Sequence, residues 1–259
     1  FDVRFLPNPF YIDELKTIPD DKPDNALYLG TALHTGLEIG VEEAIQQYYG
    51  NYPIITDEHI NEAMKLEVMI PKAKKLLPPG QHEVEIKDKD FVGYIDLLAP
   101  VTGFHDVEIP NLYDIYDFKY SNNVSHYEES VQLHLYKHFF EKNNPGKKIR
   151  NLYFLFVPKV NIKQMKTEDL IQFRQRIEEE LKTAEPTLKQ IEYNPEKVLN
   201  WMFDVKHTIE ATEFPKVQSW LCRFCDYKNY CERNETYMLL PKNERRNIEK
   251  VEKRVVWLY

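Results

Sequence analysis

One segment restricts the folds open to this chain more than any other. From Ile149 to Val157 the residues read Ile-Arg-Asn-Leu-Tyr-Phe-Leu-Phe-Val, a nearly continuous β-branched and aromatic run. A strand that is apolar on successive residues has two faces to bury, so it belongs inside a sheet with helices on both sides. The segments around it supply those helices. Asn25 to Tyr49 carries Leu29, Leu33, Leu37, Val41, Ile45 and Tyr48 at helical spacing, which predicts one long helix ending near Gly50. A second helix is expected after Thr56, with Met64, Val68, Leu76 and Leu77 as apolar positions and Pro78-Pro79-Gly80 as its stop.

The period then drops to two. His82 to Ile86 and Phe91 to Leu98 flank Lys87-Asp88-Lys89-Asp90 and read as a hairpin, and Asp114 to Lys119 reads as a third strand reached through a loop. Ser125 and Glu128 have the spacing of a capping box, opening a helix to about Lys142. Two further helices are expected, from about Glu168 to Gln190 and from Pro195 to Ala211. Helices before, between and after the strands predict an α/β domain with a mixed sheet.

Composition removes several functions. The 259 residues carry 34 Lys+Arg against 42 Asp+Glu, a net charge of −8, so this is no uniformly basic nucleic-acid binder. The eight glycines form neither GxGxxG nor GxxxxGK[ST], which leaves Rossmann and P-loop nucleotide binding unsupported. No apolar run approaches the roughly 20 residues of a membrane span, and no leader pattern opens the chain. A soluble, cytoplasmic protein without membrane association is the expectation.

Four short elements carry the chemistry. Gly30-Thr31-Ala32-Leu33-His34 lies on the first helix and Gly93-Tyr94-Ile95-Asp96 on a strand; Asp117-Phe118-Lys119 follows on the next strand and Gln132-Leu133-His134-Leu135-Tyr136 on the next helix. Residues two apart on a strand share a face, so Asp117 and Lys119 stand side by side while Phe118 points into the other layer. With Asp96 on a neighbouring strand, two carboxylates suit Mg²⁺ or Mn²⁺, and the Phe118 backbone carbonyl adds an oxygen. Lys119 would position or deprotonate an attacking water or neutralise charge at phosphorus.

GTALH, GYID, DFK and QLHLY, in that order, resemble the successive motifs of the RecB-like branch of the PD-(D/E)XK nuclease superfamily, over roughly His34 to Cys231. The resemblance extends to CRISPR-associated RecB-like exonucleases and the AddB nuclease domain, and it implies a bacterial or phage source for this chain. It implies an α/β, restriction-endonuclease-like core with a mixed central sheet flanked by helices, and a C-terminal cysteine-containing helical segment. It implies that His34, Asp96 and Asp117 hold metal, that Lys119 is the catalytic lysine, and that Gln132 and Tyr136 contact DNA. Asp117 stands where relatives often carry Glu. Glu38, one turn beyond His34, is a candidate to orient that imidazole.

The implied activity is a divalent-metal-dependent DNA exonuclease on single strands or DNA ends in recombination, repair or phage replication. DNA, recombination or replication proteins, and an oligomeric assembly are the implied partners. The rival reading is a catalytically silent DNA-binding or assembly subunit that keeps the fold; retention of Asp96, Asp117 and Lys119 together argues against it. The His134 and His138 pair has helical i, i+4 spacing but lacks the glutamate of HExxH, so it reads as incidental.

Cys222, Cys225 and Cys231 are the only cysteines, spaced CxxCxxxxxC. Among the relatives this pattern ends a [4Fe-4S] site whose first cysteine precedes the histidine motif. The expectation is an incomplete cluster with its fourth ligand ahead of Phe1; zinc completed by a histidine such as His207, or three inert thiols, are the alternatives. The expected organisation is a nuclease core with its N-terminal helices at 1–212, a cysteine segment at 213–236 and a basic tail at 237–259. A surface acidic overall, with a positive groove beside Asp96 and Asp117, completes the expectation.

Overall fold

The computed structural model describes residues 22–89, 91–211 and 222. Cys225, Cys231 and the basic tail lie outside the described residues, as does the segment up to 21. The chain divides into two compact units, Phe1–Asn194 and Pro195–Tyr259. Among the described residues no helix is long and apolar enough to cross a membrane.

The first unit opens with three helices, α1 (Ala26–Glu38), α2 (Val41–Tyr49) and α3 (Asp57–Lys74). The single helix expected over 25–49 is broken at Ile39-Gly40. Glycine in a helix interior is about 1 kcal/mol worse than alanine, and Gly40 is extended there. The break lets α2 bury Ala44 and Tyr48 on a new axis. In α3 the buried stripe is Leu66, Met69, Ile70 and Ala73, whereas Val68 and Leu76 are exposed, so the expected face is rotated. Two close approaches set the packing. A methyl group on Gly36 would collide with Ile70 Cδ1, so α1 and α3 touch there because the residue has no side chain. Lys72 reaches the carbonyls of Leu181 and Ala184 at 2.9 Å each, tying α3 to the C-terminal end of α6 (Leu170–Thr183).

The sheet has five strands in sequence order: β1 (Gln81–Lys87), β2 (Val92–Thr102), β3 (Glu108–Tyr120), β4 (Lys148–Val157) and β5 (Thr187–Ile191). Only β3 and β4 run parallel; the other neighbours are antiparallel. The apolar run is therefore the interior strand β4, with Leu152, Phe154, Leu155, Phe156 and Val157 all buried. Strands β2 and β3 are longer than expected and join through a single 3₁₀ turn, Phe104–Asp106, in place of the loop. Strand β5 replaces the end of the helix expected over 168–190. Pro186 marks that stop, and the short edge strand carries little pattern of its own.

Helices cover both faces. Leu29, Leu33 and Leu37 of α1, with Leu66 and Met69 of α3 and Phe173 and Ile177 of α6, form one core with Leu97, Phe118 and Leu155 of the sheet. Each such side chain contributes about 1.5–3 kcal/mol through burial. On the other face the helix expected from Ser125 is two pieces, α4 (Val124–Glu128) and α5 (Gln132–Asn143), separated at Glu129 to Val131. Helix α5 buries Leu133, Tyr136, Phe139 and Phe140, and Phe139 stacks on Phe91 at 4.3 Å. The second unit's described helix is α7 (Pro195–Glu210).

Candidate active site

The site forms where β2 and β3 part. Their pairing runs to Leu97 opposite Tyr116, and no further pair joins the two strands toward Phe118. The backbone groups of Phe118 are satisfied by side chains instead. Asp96 Oδ2 accepts the Phe118 N–H at 2.6 Å, and His34 Nε2 meets the Phe118 carbonyl at 3.1 Å. A buried backbone needs such partners, and here they are two residues of the chemical motifs.

These bonds fix the imidazole. A carbonyl only accepts, so His34 Nε2 carries the hydrogen. Burial lowers the pKa of His34 in spite of the nearby Asp117, which favours the neutral ring with its lone pair on Nδ1. That Nδ1 faces Asp96 Oδ1 at 3.5 Å. Burial, and next the charge of Asp117, push the Asp96 carboxyl well above the usual carboxylate range. Nitrogen lone pair and carboxylate thus share one small volume, an arrangement suited to a bound cation.

Asp117 is 1% exposed. Its Oδ2 lies 2.6 Å from Lys119 Nζ, close but off the direction a hydrogen bond prefers, and its Oδ1 has no hydrogen-bond partner among the described residues. Lys119 also donates to Gln132 Oε1 at 3.1 Å, and Gln132 Nε2 donates to Tyr136 at 2.9 Å. Its ammonium lies 5.3 Å from the Tyr127 ring and 5.7 Å from that of Phe154. Burial alone would lower the pKa of Lys119, but the charge and contact of Asp117, with Asp96 behind, hold it above the ordinary value. Lys119 is therefore a cation with two of its three donors directed at protein oxygens.

Tyr136 is buried, and burial together with Asp117 raises its hydroxyl pKa. Gly93 of the GYID motif makes room for that ring: a Cβ there would stand 2.8 Å from Tyr136 Cε1 and 3.0 Å from Phe91. The glycine is required by the packing of the motif on α5. Gly30 has nothing near it, and we have no packing reason for its place in GTALH.

The structure brings His34, Asp96, Phe118, Asp117, Lys119, Gln132 and Tyr136 into one contiguous set. Glu38 is exposed at the end of α1, and the groups its charge reaches are His82 and Glu83. His134 is buried and accepts the Asn194 N–H at 3.2 Å, a structural role. Cys222 is half-buried.

The motifs gave no sign of Glu83. It lies on β1, and its carboxylate, His34 and Asp96 offer ligand atoms within 4.8 Å of one another. The register between two strands creates this proximity, and single-chain motifs do not reveal it. Among the described residues the cation acting on Asp96 and Asp117 is Lys119, and the carboxylates of Glu38 and Glu83 add further negative charge nearby. The immediate surround is thus acidic, and a phosphodiester needs a cation there before it can approach.

The model of the PD-(D/E)XK nuclease superfamily matches residues 9–232, and the chain belongs to that superfamily. Its mixed five-stranded sheet between helices is the restriction-endonuclease-like α/β core. A crystal structure from Eubacterium rectale, provisionally named an exonuclease, aligns at 13% identity with a TM-score of 0.45, covering 90% of this chain and 81% of that one. No curated protein matches the chain.

Proposed function

We propose that this nuclease is a divalent-metal-dependent exonuclease of the RecB-like branch, hydrolysing phosphodiester bonds of single-stranded DNA or DNA ends in recombination, repair or phage replication. The observation that carries the reading is Asp117 Oδ1, a buried carboxylate oxygen without a hydrogen-bond partner among the described residues, beside His34, Asp96 and Lys119. A buried carboxylate left short of partners is expensive unless a ligand uses it. The donor set fits Mg²⁺ or Mn²⁺: carboxylate oxygens of Asp96 and Asp117, the second lone pair of the Phe118 carbonyl, and His34 Nδ1. Bound there, a divalent cation supplies Lewis acidity toward a phosphodiester oxygen.

The protein's own groups do the rest. Lys119 keeps one N–H for a phosphate oxygen and neutralises charge that grows at phosphorus. Gln132 holds the ammonium in place and keeps a second amide hydrogen for DNA, while Tyr136 fixes Gln132. No step of this reading runs through Cys222, Cys225 or Cys231.

The test is cleavage of DNA labelled at either end, single- or double-stranded, with Mg²⁺ or Mn²⁺ and with chelator, beside Lys119→Ala. Metal-dependent release of labelled products, reduced about 10²- to 10³-fold in the variant, is expected. Absence of cleavage on every substrate would favour the DNA-binding subunit instead.

A further inference from the structure

We propose that Glu83 is a further ligand of the divalent cation, closing the site from its solvent side. The inference rests on the metal-dependent reading above and adds a residue outside the recognisable motifs.

The first support is register. His82 pairs with Leu97 and Val84 with Ile95, and these two pairs bracket Glu83 and Asp96 on the adjacent strands. Opposed residues of an antiparallel pair project from the same face within reach of one another. The result is the three-residue group already described, with one ligand atom each from His34, Glu83 and Asp96.

The second is the state of the side chain. Among the described residues the Glu83 carboxylate forms no hydrogen bond and no salt bridge, although Glu38 and Asp117 both act on it through their charge. Carboxylates crowded in this way repel one another unless a cation lies among them. The buried, unpartnered Asp117 Oδ1 independently marks the same place, since the charge of Asp117 bears on His34, Asp96 and Glu83 alike.

The third is the backbone. Glu83 has φ 51°, a left-handed conformation inside a strand that favours glycine or asparagine. Strain of this kind persists where a side chain must be aimed. Glu83 is exposed while Asp96 and Asp117 are buried, so it is the member of the set that can follow a cation in and out.

The experiment is a Mn²⁺ titration followed by the electron paramagnetic resonance of the free ion, on the wild-type chain and on Glu83→Gln, Glu85→Gln and Asp96→Asn. Glu85→Gln removes the same charge two residues along the strand. We expect Glu83→Gln to weaken Mn²⁺ binding at least about tenfold, with an unchanged metal-free melting temperature, and Glu85→Gln to stay within about twofold of wild type. Wild-type affinity in Glu83→Gln, with binding lost in Asp96→Asn, would overturn the proposal and leave the nuclease reading intact. No Mn²⁺ binding by the wild-type chain would overturn both.

Discussion

Strand β3 carries two buried aspartates three residues apart, and they are treated in opposite ways. Asp114 is 5% exposed and fully engaged: Arg150 donates to both its oxygens, at 3.1 Å and 2.6 Å, and the Asn151 N–H adds a third bond at 2.9 Å. Asp117 is still more buried, yet among the described residues it has one lysine against Oδ2 and no partner on Oδ1. The first joins β3 to β4 by saturating a carboxylate. The second keeps valence in reserve, which stability alone would not select, because a buried acceptor without a partner costs about 1–3 kcal/mol. Burial does not distinguish structural from functional acids; saturation does.

That contrast can be broken or sharpened experimentally. The largest effect is expected for Asp114→Ala, about 2 kcal/mol of stability in urea unfolding. Arg150 is half-exposed and rehydrates, which keeps the loss below that of a fully buried pair, and cation binding should be unaffected. Gln132→Leu should lower turnover about tenfold, or about 1.4 kcal/mol, with little change in stability, because Lys119 loses the partner that aims it. A smaller effect concerns Glu141, which resembles Asp114 in being saturated. Burial pushes its pKa up, but the Ile149 N–H at 2.8 Å and the Lys137 ammonium at 2.6 Å outweigh it and hold it low. A carboxyl depressed in the folded state stabilises above its unfolded pKa of about 4.3. That stability is lost as pH falls through the folded value. Glu141→Gln should therefore flatten the acid limb of a stability profile by under about 1 kcal/mol.

Much of this site was legible because its signals are local. Asp117 and Lys119 declare a shared face by spacing, and β4 declares its interior position by an apolar run. What escaped depends on distance in the chain. Glu83 acquires its place through the register of β1 on β2 and through a positive φ, neither of which its neighbours encode. The partnership of Lys119, Gln132 and Tyr136 could not be read either, since it needs α5 to cross the strands at Gly93. Breaks in regular structure were missed where a weak stop was overruled by a longer pattern. Gly40 divides α1 from α2, and Pro186 precedes the edge strand β5. The stripe of α3 was misplaced because its inner face includes His59, Asn61 and Lys65, polar residues that periodicity assigns to solvent.

The central claim is that Asp117 is buried for chemistry. Its most direct test is cleavage of end-labelled DNA in Mn²⁺ by Asp117→Asn, an isosteric change that keeps the volume and removes the charge. The account predicts a folded protein, no less stable than wild type, whose cleavage is reduced at least about a hundredfold. A variant that folds and cuts at the wild-type rate would contradict it.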